Sequence, residues 1–163
     1  MATKQPRICR LSFDGHILQR GFWLYVWRIT SGRRIVLYVG RTGDSSSDFA
    51  SSPFVRVGRH LDLRPNAKSN SLARHLAAQS LDPTECAYEF VAFGPLFPEQ
   101  TSTQEHRRFR DRTGGLEALL ANQLRASGYE VVGIHSSRAE PTTDDATKLL
   151  KFIHDEFPND RNA

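Results

Sequence analysis

The stretch FWLYVWRITSGRRIVLYVG (22–40) decides the fold, because it holds two short apolar segments joined by a turn signal. Residues 22–30 and 34–40 are rich in aromatic and β-branched side chains and are apolar on both alternating faces, which is typical of strands covered on both sides. Between them, Gly32 and Arg33 fit a two-residue loop with glycine in the first central position, as in a type II′ turn. The stretch therefore predicts a buried β-hairpin.

The length of this loop decides which residues face each other across the hairpin. With a two-residue loop, Trp27 lies opposite Tyr38, and Tyr25 lies opposite Gly40. Tyr25 and Tyr38 then share one face as diagonal neighbours, roughly 7–8 Å apart at Cα. A loop longer or shorter by one residue would place the two tyrosines on opposite faces.

The rest of the chain predicts helices and one further long strand around the hairpin. After the hairpin we expect a mobile loop (41–53), a helix from Pro53 with Ser52 as N-cap, and a second short helix (72–79). A third strand (86–96) ended by Gly94-Pro95 follows, and then two helices separated by Gly114-Gly115. The last expected elements are a short edge strand within 129–134 and an amphipathic C-terminal helix within 141–158. Residues 1–21 are expected to form an N-terminal arm. The predicted fold is one α/β (α+β) domain, 1–163, with a small, mainly antiparallel three-stranded sheet that has the hairpin at its centre and helices on its flanks.

Charge is distributed unevenly along the 163 residues. The whole chain carries a formal charge of +4, and residues 1–60 hold ten Lys and Arg against three Asp and Glu, whereas the remainder is net acidic. This asymmetry predicts a basic face formed by the first part of the chain, which would suit a polyanion such as nucleic acid.

Cysteine content and apolar runs exclude several classes of protein. Cys9 and Cys86 are too few and too far apart in sequence for a disulfide framework or a four-ligand zinc site. The longest apolar run, 22–27, is much shorter than a membrane span. We therefore expect a cytoplasmic protein with no membrane partner.

A few residues able to do chemistry stand in a suggestive order: Tyr25, Tyr38, Arg56 with His60 four residues later, and Glu117. Individually, each also has a structural interpretation. The tyrosines suit strand aromatics at the rim of a core, Arg56 and His60 suit a solvated helix face, and Glu117 suits the first helical turn after Gly114.

Taken together, these residues resemble the motifs of the GIY-YIG nuclease family over residues 22–130. Trp23-Leu24-Tyr25 resembles the first motif and Tyr38-Val39-Gly40 the second, RVGRH (56–60) resembles the helical Arg-x-x-x-His, and LEALL (116–120) resembles the glutamate helix. The chain departs from the family where Trp23 replaces a glycine and where the 41–55 link is longer than usual. The family's final asparagine has no clear counterpart, and His135 or Ser136 would have to fill its place.

The resemblance implies a metal-dependent endonuclease that hydrolyses DNA phosphodiester bonds. It implies that Glu117 holds Mg²⁺ or Mn²⁺, that Arg56 binds phosphate, and that Tyr25 orients or deprotonates the attacking water. Tyr38 and His60 would complete the catalytic set, with His60 relaying a proton or binding phosphate, and Arg41 and Arg59 would contact DNA. Arg41 is also a candidate for the cation that lowers the pKa of Tyr25.

Three alternatives remain open at this stage. Glu105, Glu89 and Glu130 are rival metal ligands. A nucleic-acid-binding module with the same fold and weak or absent catalysis is the second alternative. A protein-interaction domain that uses its acidic C-terminal helix is the third.

Overall fold

The computed structural model describes residues 6, 8–45 and 49–158. Regular structure follows the order β1 (Gly21–Ser31), β2 (Arg34–Arg41), α1 (Pro53–His60), α2 (Ser71–Ala78), β3 (Ala87–Pro98), α3 (Thr103–Ala126), β4 (Val131–Val132) and α4 (Thr143–Glu156). In the described part of the N-terminal arm there is one 3₁₀ turn, Gly15–Leu18. Residues 46–48 of the expected mobile loop lie outside the described residues.

The central hairpin has the predicted register. Trp27 pairs with Tyr38, Tyr25 pairs with Gly40, and Ser31 pairs with Arg34. Gly32 has a φ of +60° whereas Arg33 has a negative φ, which is the pattern of a type II′ turn. The two-residue loop is confirmed, so Tyr25 and Tyr38 lie on one face of the sheet.

The sheet has four strands in the order β3-β1-β2-β4, so the prediction of three strands was wrong. The fourth strand is the short edge segment, which runs parallel to β2 and pairs Val132 with Tyr38. The third strand also continues beyond its predicted end at Gly94-Pro95, through a cis peptide bond, as far as Pro98. It continues because β1 offers it a partner along its whole length, with a register shift between Phe22 and Leu24.

Both faces of the sheet are covered, as the apolar pattern of 22–30 predicts. Phe22, Leu24 and Val26 pack into a core beneath α3 and α4, while Tyr25, Trp27 and Ile29 pack into a second core with α2. Burial of each such apolar side chain contributes about 1.5–3 kcal/mol relative to leaving it exposed. The tyrosine face of the hairpin is therefore the face that α1 and α2 cover.

Gly114 and Gly115 do not interrupt the helix, which corrects the prediction of two helices separated there. The single helix α3 runs from Thr103 to Ala126. A Cβ at Gly114 would lie 3.4 Å from the Arg41 guanidinium, and one at Gly115 would collide with the backbone oxygen of Ala139. Gly115 thus allows the backbone of Ala139 to pack closely against the helix, and Glu117 lies in the interior of this helix rather than in a first turn.

The two short helices and the C-terminal helix confirm their predictions. Ser52 is the N-cap residue of α1, and Pro53 occupies its first turn. Thr142 caps α4 by accepting a hydrogen bond from the backbone of Asp145. Within the described residues, none of the helices is both long enough and apolar enough to cross a membrane.

Candidate active site

Tyr25, Tyr38 and His60 form the centre of the candidate site. The hydroxyl of Tyr25 and Nε2 of His60 are 2.7 Å apart and share a hydrogen bond. The rings of Tyr38 and His60 lie 5.2 Å apart between centroids in an edge-on arrangement. The hairpin register and the last turn of α1 thus bring together three of the residues that the sequence singled out.

His60 is not hydrogen-bonded like an ordinary core histidine. Its side chain is buried, yet among the described residues its Nδ1 has no hydrogen-bond partner. Buried polar atoms are normally paired, so an unpaired ring nitrogen next to two tyrosines is more typical of a functional site than of a core.

Gly40 is the position that lets the Tyr25 ring take its place. A Cβ built on Gly40 would lie 2.5–2.6 Å from the ring and hydroxyl atoms of Tyr25. No side chain fits there unless the ring moves. The Tyr38-Val39-Gly40 motif therefore ends in glycine because the phenol of Tyr25, across the hairpin, occupies the space that a side chain would need.

We expect Gly40→Ala to destabilise the protein by about 1–3 kcal/mol, because overpacking forces the Tyr25 ring out of position. Gly58→Ala is the matched control, since nothing lies within 4 Å of a Cβ at that helical position; it should be neutral or stabilising, by up to about 1 kcal/mol. Urea denaturation midpoints measure both changes. Equal stability of the two variants would contradict the close approach.

Burial controls the protonation of this cluster. Burial, together with Tyr38, raises the pKa of Tyr25 well above its ordinary value, and Arg56 offsets only part of this rise. Burial and Glu117 raise the pKa of Tyr38 to about 12. Burial and the charge of Arg56 lower the pKa of His60 to about 4. At neutral pH both phenols are therefore protonated and the imidazole is neutral.

Arg41, the cation that the sequence suggested for Tyr25, is not among the main groups that set the pKa of Tyr25. Its Nε donates to Oε2 of Glu117 over 2.8 Å, and a second nitrogen donates to the backbone oxygen of Arg110 over 2.5 Å. The guanidinium is held against α3, where it neutralises a carboxylate. The cation that does act on Tyr25 is Arg56.

Glu117 lies beside the tyrosine cluster and is partly accessible. Its side chain is 21% exposed and pairs with Arg41. Its charge contributes to raising the pKa values of Tyr25 and Tyr38. Burial raises the pKa of Glu117 itself, and Arg41 opposes this rise.

Asp44 is a site residue that the sequence analysis missed. It pairs with Arg56 over 2.6 Å, and the Arg56 side chain is only 5% exposed. Asp44 also acts electrostatically on His60 and on Glu117. It lies in the loop after β2, where the run of Ser, Gly and Asp gave no periodic signal to distinguish it from Asp48.

Other predicted residues take different positions. Arg59 is exposed and lines a groove with Asp62 and residues 64–69. His135 contacts the backbone oxygen of Val39 through Nε2 over 2.9 Å, so it lies against β2, whereas Ser136 is exposed.

The rival metal ligands are close to arginines. Glu89 pairs with Arg28 and Glu130 pairs with Arg34, and Glu105, in the first turn of α3, lies near Arg108.

The described donor residues suit a divalent cation that keeps most of its own waters. Within the part of the chain that the structure describes, no group of three or more His, Cys, Asp or Glu side chains could hold a metal ion. A cage of several protein ligands is therefore not formed by these residues. A single carboxylate such as Glu117 fits an ion that keeps most of its waters, as Mg²⁺ does, provided that Arg41 yields the carboxylate.

The candidate site and the fold were finally compared with known proteins. Neither family models, nor curated proteins, nor solved structures gave a match to the chain. The resemblance to the GIY-YIG nucleases therefore rests on the quoted residues and their order alone.

Proposed function

We propose that the protein is a metal-dependent endonuclease that hydrolyses DNA phosphodiester bonds. The observation that carries the proposal is the convergence of Tyr25, Tyr38 and His60 from three separate elements, with Arg56 and Glu117 acting on the same phenols. These residues come from β1, β2, α1 and α3, and ordinary core packing does not require that the side chains of these elements meet.

Arg56 is the residue we assign to the phosphate. Its guanidinium can donate two parallel hydrogen bonds to phosphate oxygens, a geometry that lysine does not reproduce. In the structure it donates to the carboxylate of Asp44. An incoming phosphate would displace the Asp44 carboxylate and take its place beside the guanidinium. The buried charge of Arg56 would therefore face an anion both before and after DNA binds.

Tyr25 and His60 are the residues we assign to proton transfer. Because the phenol is protonated at neutral pH, Tyr25 does not serve as a preformed base. Instead, its oxygen would accept a proton from the attacking water as its own proton passes to Nε2 of His60 over the 2.7 Å hydrogen bond. His60 is neutral and thus able to accept that proton.

Glu117 is the residue we assign to the divalent ion. When bound, Mg²⁺ or Mn²⁺ would supply charge neutralisation at the phosphate. Arg41 would release the Glu117 carboxylate to the ion while keeping its hydrogen bond to the backbone oxygen of Arg110. Tyr38 would donate a hydrogen bond from its protonated phenol.

Incubation with supercoiled plasmid tests hydrolysis directly. We expect nicked and linear forms with Mg²⁺ or Mn²⁺ and none with EDTA. A panel of duplex, single-stranded, nicked and branched DNA would then define the preferred substrate. Failure to cut any of these forms with either ion would refute the endonuclease proposal.

A nucleic-acid-binding module without catalysis is the second candidate function. The Arg41–Glu117 ion pair favours it, because this pair already neutralises the carboxylate that a metal ion would need. The two candidates predict the same salt-sensitive DNA affinity. They differ only in whether added Mg²⁺ or Mn²⁺ leads to strand breaks.

We expect Asp44→Asn to strengthen metal-free DNA binding about fivefold, because it removes an anion, worth about 1 kcal/mol, that competes with phosphate for Arg56. Asp144→Asn is the control, since it removes the same charge from a surface pair with Lys148 on α4. Fluorescence anisotropy in EDTA measures both affinities. An equal gain in the two variants would mean that only net charge matters.

A further inference from the structure

The positive surface of the protein differs from the one that the sequence predicts. Four arginines of the basic first part pair with glutamates from the second part: Arg20 with Glu99, Arg28 with Glu89, Arg34 with Glu130 and Arg41 with Glu117. Each of these pairs cancels a positive charge that the sequence count assigns to a basic face. The electropositive surface must therefore be sought among cations that lack such partners.

The basic run HRRFRDR (106–112) is also largely neutralised. Arg108 lies near Glu105, Arg110 pairs with Asp111, and Arg112 pairs with Asp145. This helix face therefore presents less positive potential than its sequence indicates.

One open groove retains its positive charge. It has a volume of about 800 Å³ and lies between the end of α1 and the loop 62–69, with Arg59, Arg64 and Lys68 among its lining residues. Among the described residues, neither Arg59 nor Lys68 takes part in an ion pair. The described lining residues include three cations and one carboxylate, Asp62.

The carboxylate of Asp62 in the described groove lining already accepts hydrogen bonds from Arg64. Both oxygens of Asp62 accept from Arg64 at 2.5–3.0 Å, and this hydrogen bonding, with that from the backbone of Arg64, lowers the pKa of Asp62 to about 2. Arg64 nevertheless remains 83% exposed. Asp62 therefore orients one cation of the groove and offers little free negative charge to repel an anion.

The groove begins at the helix that carries the candidate site. Arg59 lies on α1 between Arg56 and His60, and a helix rises only about 1.5 Å per residue. Because Arg56 is buried against the site and Arg59 is exposed, α1 links the two surfaces. A DNA strand with one phosphate on Arg56 would have neighbouring phosphates near the groove.

We propose that this groove binds the phosphate backbone of the DNA strand next to the cleaved bond, without reading its sequence. The inference rests on the proposed function for the identity of the partner. None of the described lining residues is aromatic, whereas grooves that grip single-stranded bases use aromatic platforms. Asn66 and Ser69 add neutral hydrogen-bonding groups of the kind that position backbones.

The test compares two double variants of equal charge. Arg59→Gln with Lys68→Gln removes the two groove cations that form no ion pair with a described residue. Arg33→Gln with Arg107→Gln removes two exposed cations elsewhere that likewise pair with none of the described carboxylates. Binding of two unrelated labelled duplexes is measured by anisotropy in EDTA across a salt series. Thermal unfolding checks that all variants fold.

We expect the groove variant to bind both duplexes at least about tenfold more weakly at about 100 mM salt, with the log–log salt slope reduced by about 2. The charge-preserving variant Arg59→Lys with Lys68→Arg should bind like the wild type. Equal losses in the groove and control variants, or a loss on one duplex only, would overturn the proposal.

The same proteins separate this proposal from the endonuclease function. If the wild type binds through the groove but leaves plasmid intact with Mg²⁺ and Mn²⁺, the endonuclease proposal is refuted and the groove proposal is supported. If the wild type nicks plasmid while the groove variant binds as tightly as the wild type, the groove proposal is refuted and the endonuclease proposal is supported.

Discussion

Glu117→Gln should lower the rate of plasmid nicking about 10³-fold while DNA binding stays within about threefold of the wild type. The amide keeps the size of the side chain but lacks the charge that holds a divalent ion, and loss of one electrostatic contact at a reacting phosphate costs rates of this order. Single-turnover nicking with Mg²⁺ measures the rate, and anisotropy in EDTA measures the binding.

Glu105→Gln is the control for this prediction, because Glu105 lies on the same helix about 18 Å further toward its N-terminus along the axis. It should nick at the rate of the wild type. A Glu117→Gln protein that retains a tenth or more of the wild-type rate would remove Glu117 from the role of metal ligand. A large loss in Glu105→Gln instead would point to the rival ligand.

Tyr25→Phe should lower the nicking rate by about 10²–10⁴-fold, the usual contribution of a positioned proton-transfer group. The variant keeps the ring that stacks on Phe90 and loses only the hydroxyl that meets His60. Because Nε2 of His60 then lacks its partner in a buried site, we also expect a loss of stability of about 1–3 kcal/mol. Rates are therefore measured well below the unfolding midpoint of the variant.

Tyr88→Phe separates catalysis from the general loss of a tyrosine hydroxyl. Tyr88 donates to the backbone oxygen of Pro83 over 2.7 Å and packs edge-on against Trp27, so its hydroxyl is structural. Its variant should be destabilised without a matching loss of rate at equal folded concentration. Parallel behaviour of the two variants would make Tyr25 an ordinary core tyrosine.

The local pattern of the hairpin was sufficient to predict its register. Glycine at the first turn position and apolar residues on both faces indicated the two-residue loop, and this placed Tyr25 and Tyr38 on one face. The signals at Ser52 and Pro53 likewise predicted α1, since proline and cap residues act within a single helical turn. These features were predictable because they depend on neighbours in sequence.

The wrong predictions share one cause: each of these features depends on a residue that is distant in sequence. Gly114-Gly115 was interpreted as a break, but the helix is continuous, and the backbone oxygen of Ala139 leaves no room for a side chain at Gly115. The short β4 became a fourth strand only because β2 offers its edge. Arg41 was expected to act on Tyr25, and the position of Glu117 on α3 directs it elsewhere.

Sequence by itself determined the hairpin, its glycine turn and the shared face of the two tyrosines, because backbone conformation and side-chain alternation are local properties. Tertiary structure alone decided the electrostatics: which cations are cancelled, that Asp44 holds Arg56, and that burial keeps the phenols protonated and His60 neutral. Charge interactions and desolvation depend on distances through space. A count of charges along a chain does not contain those distances.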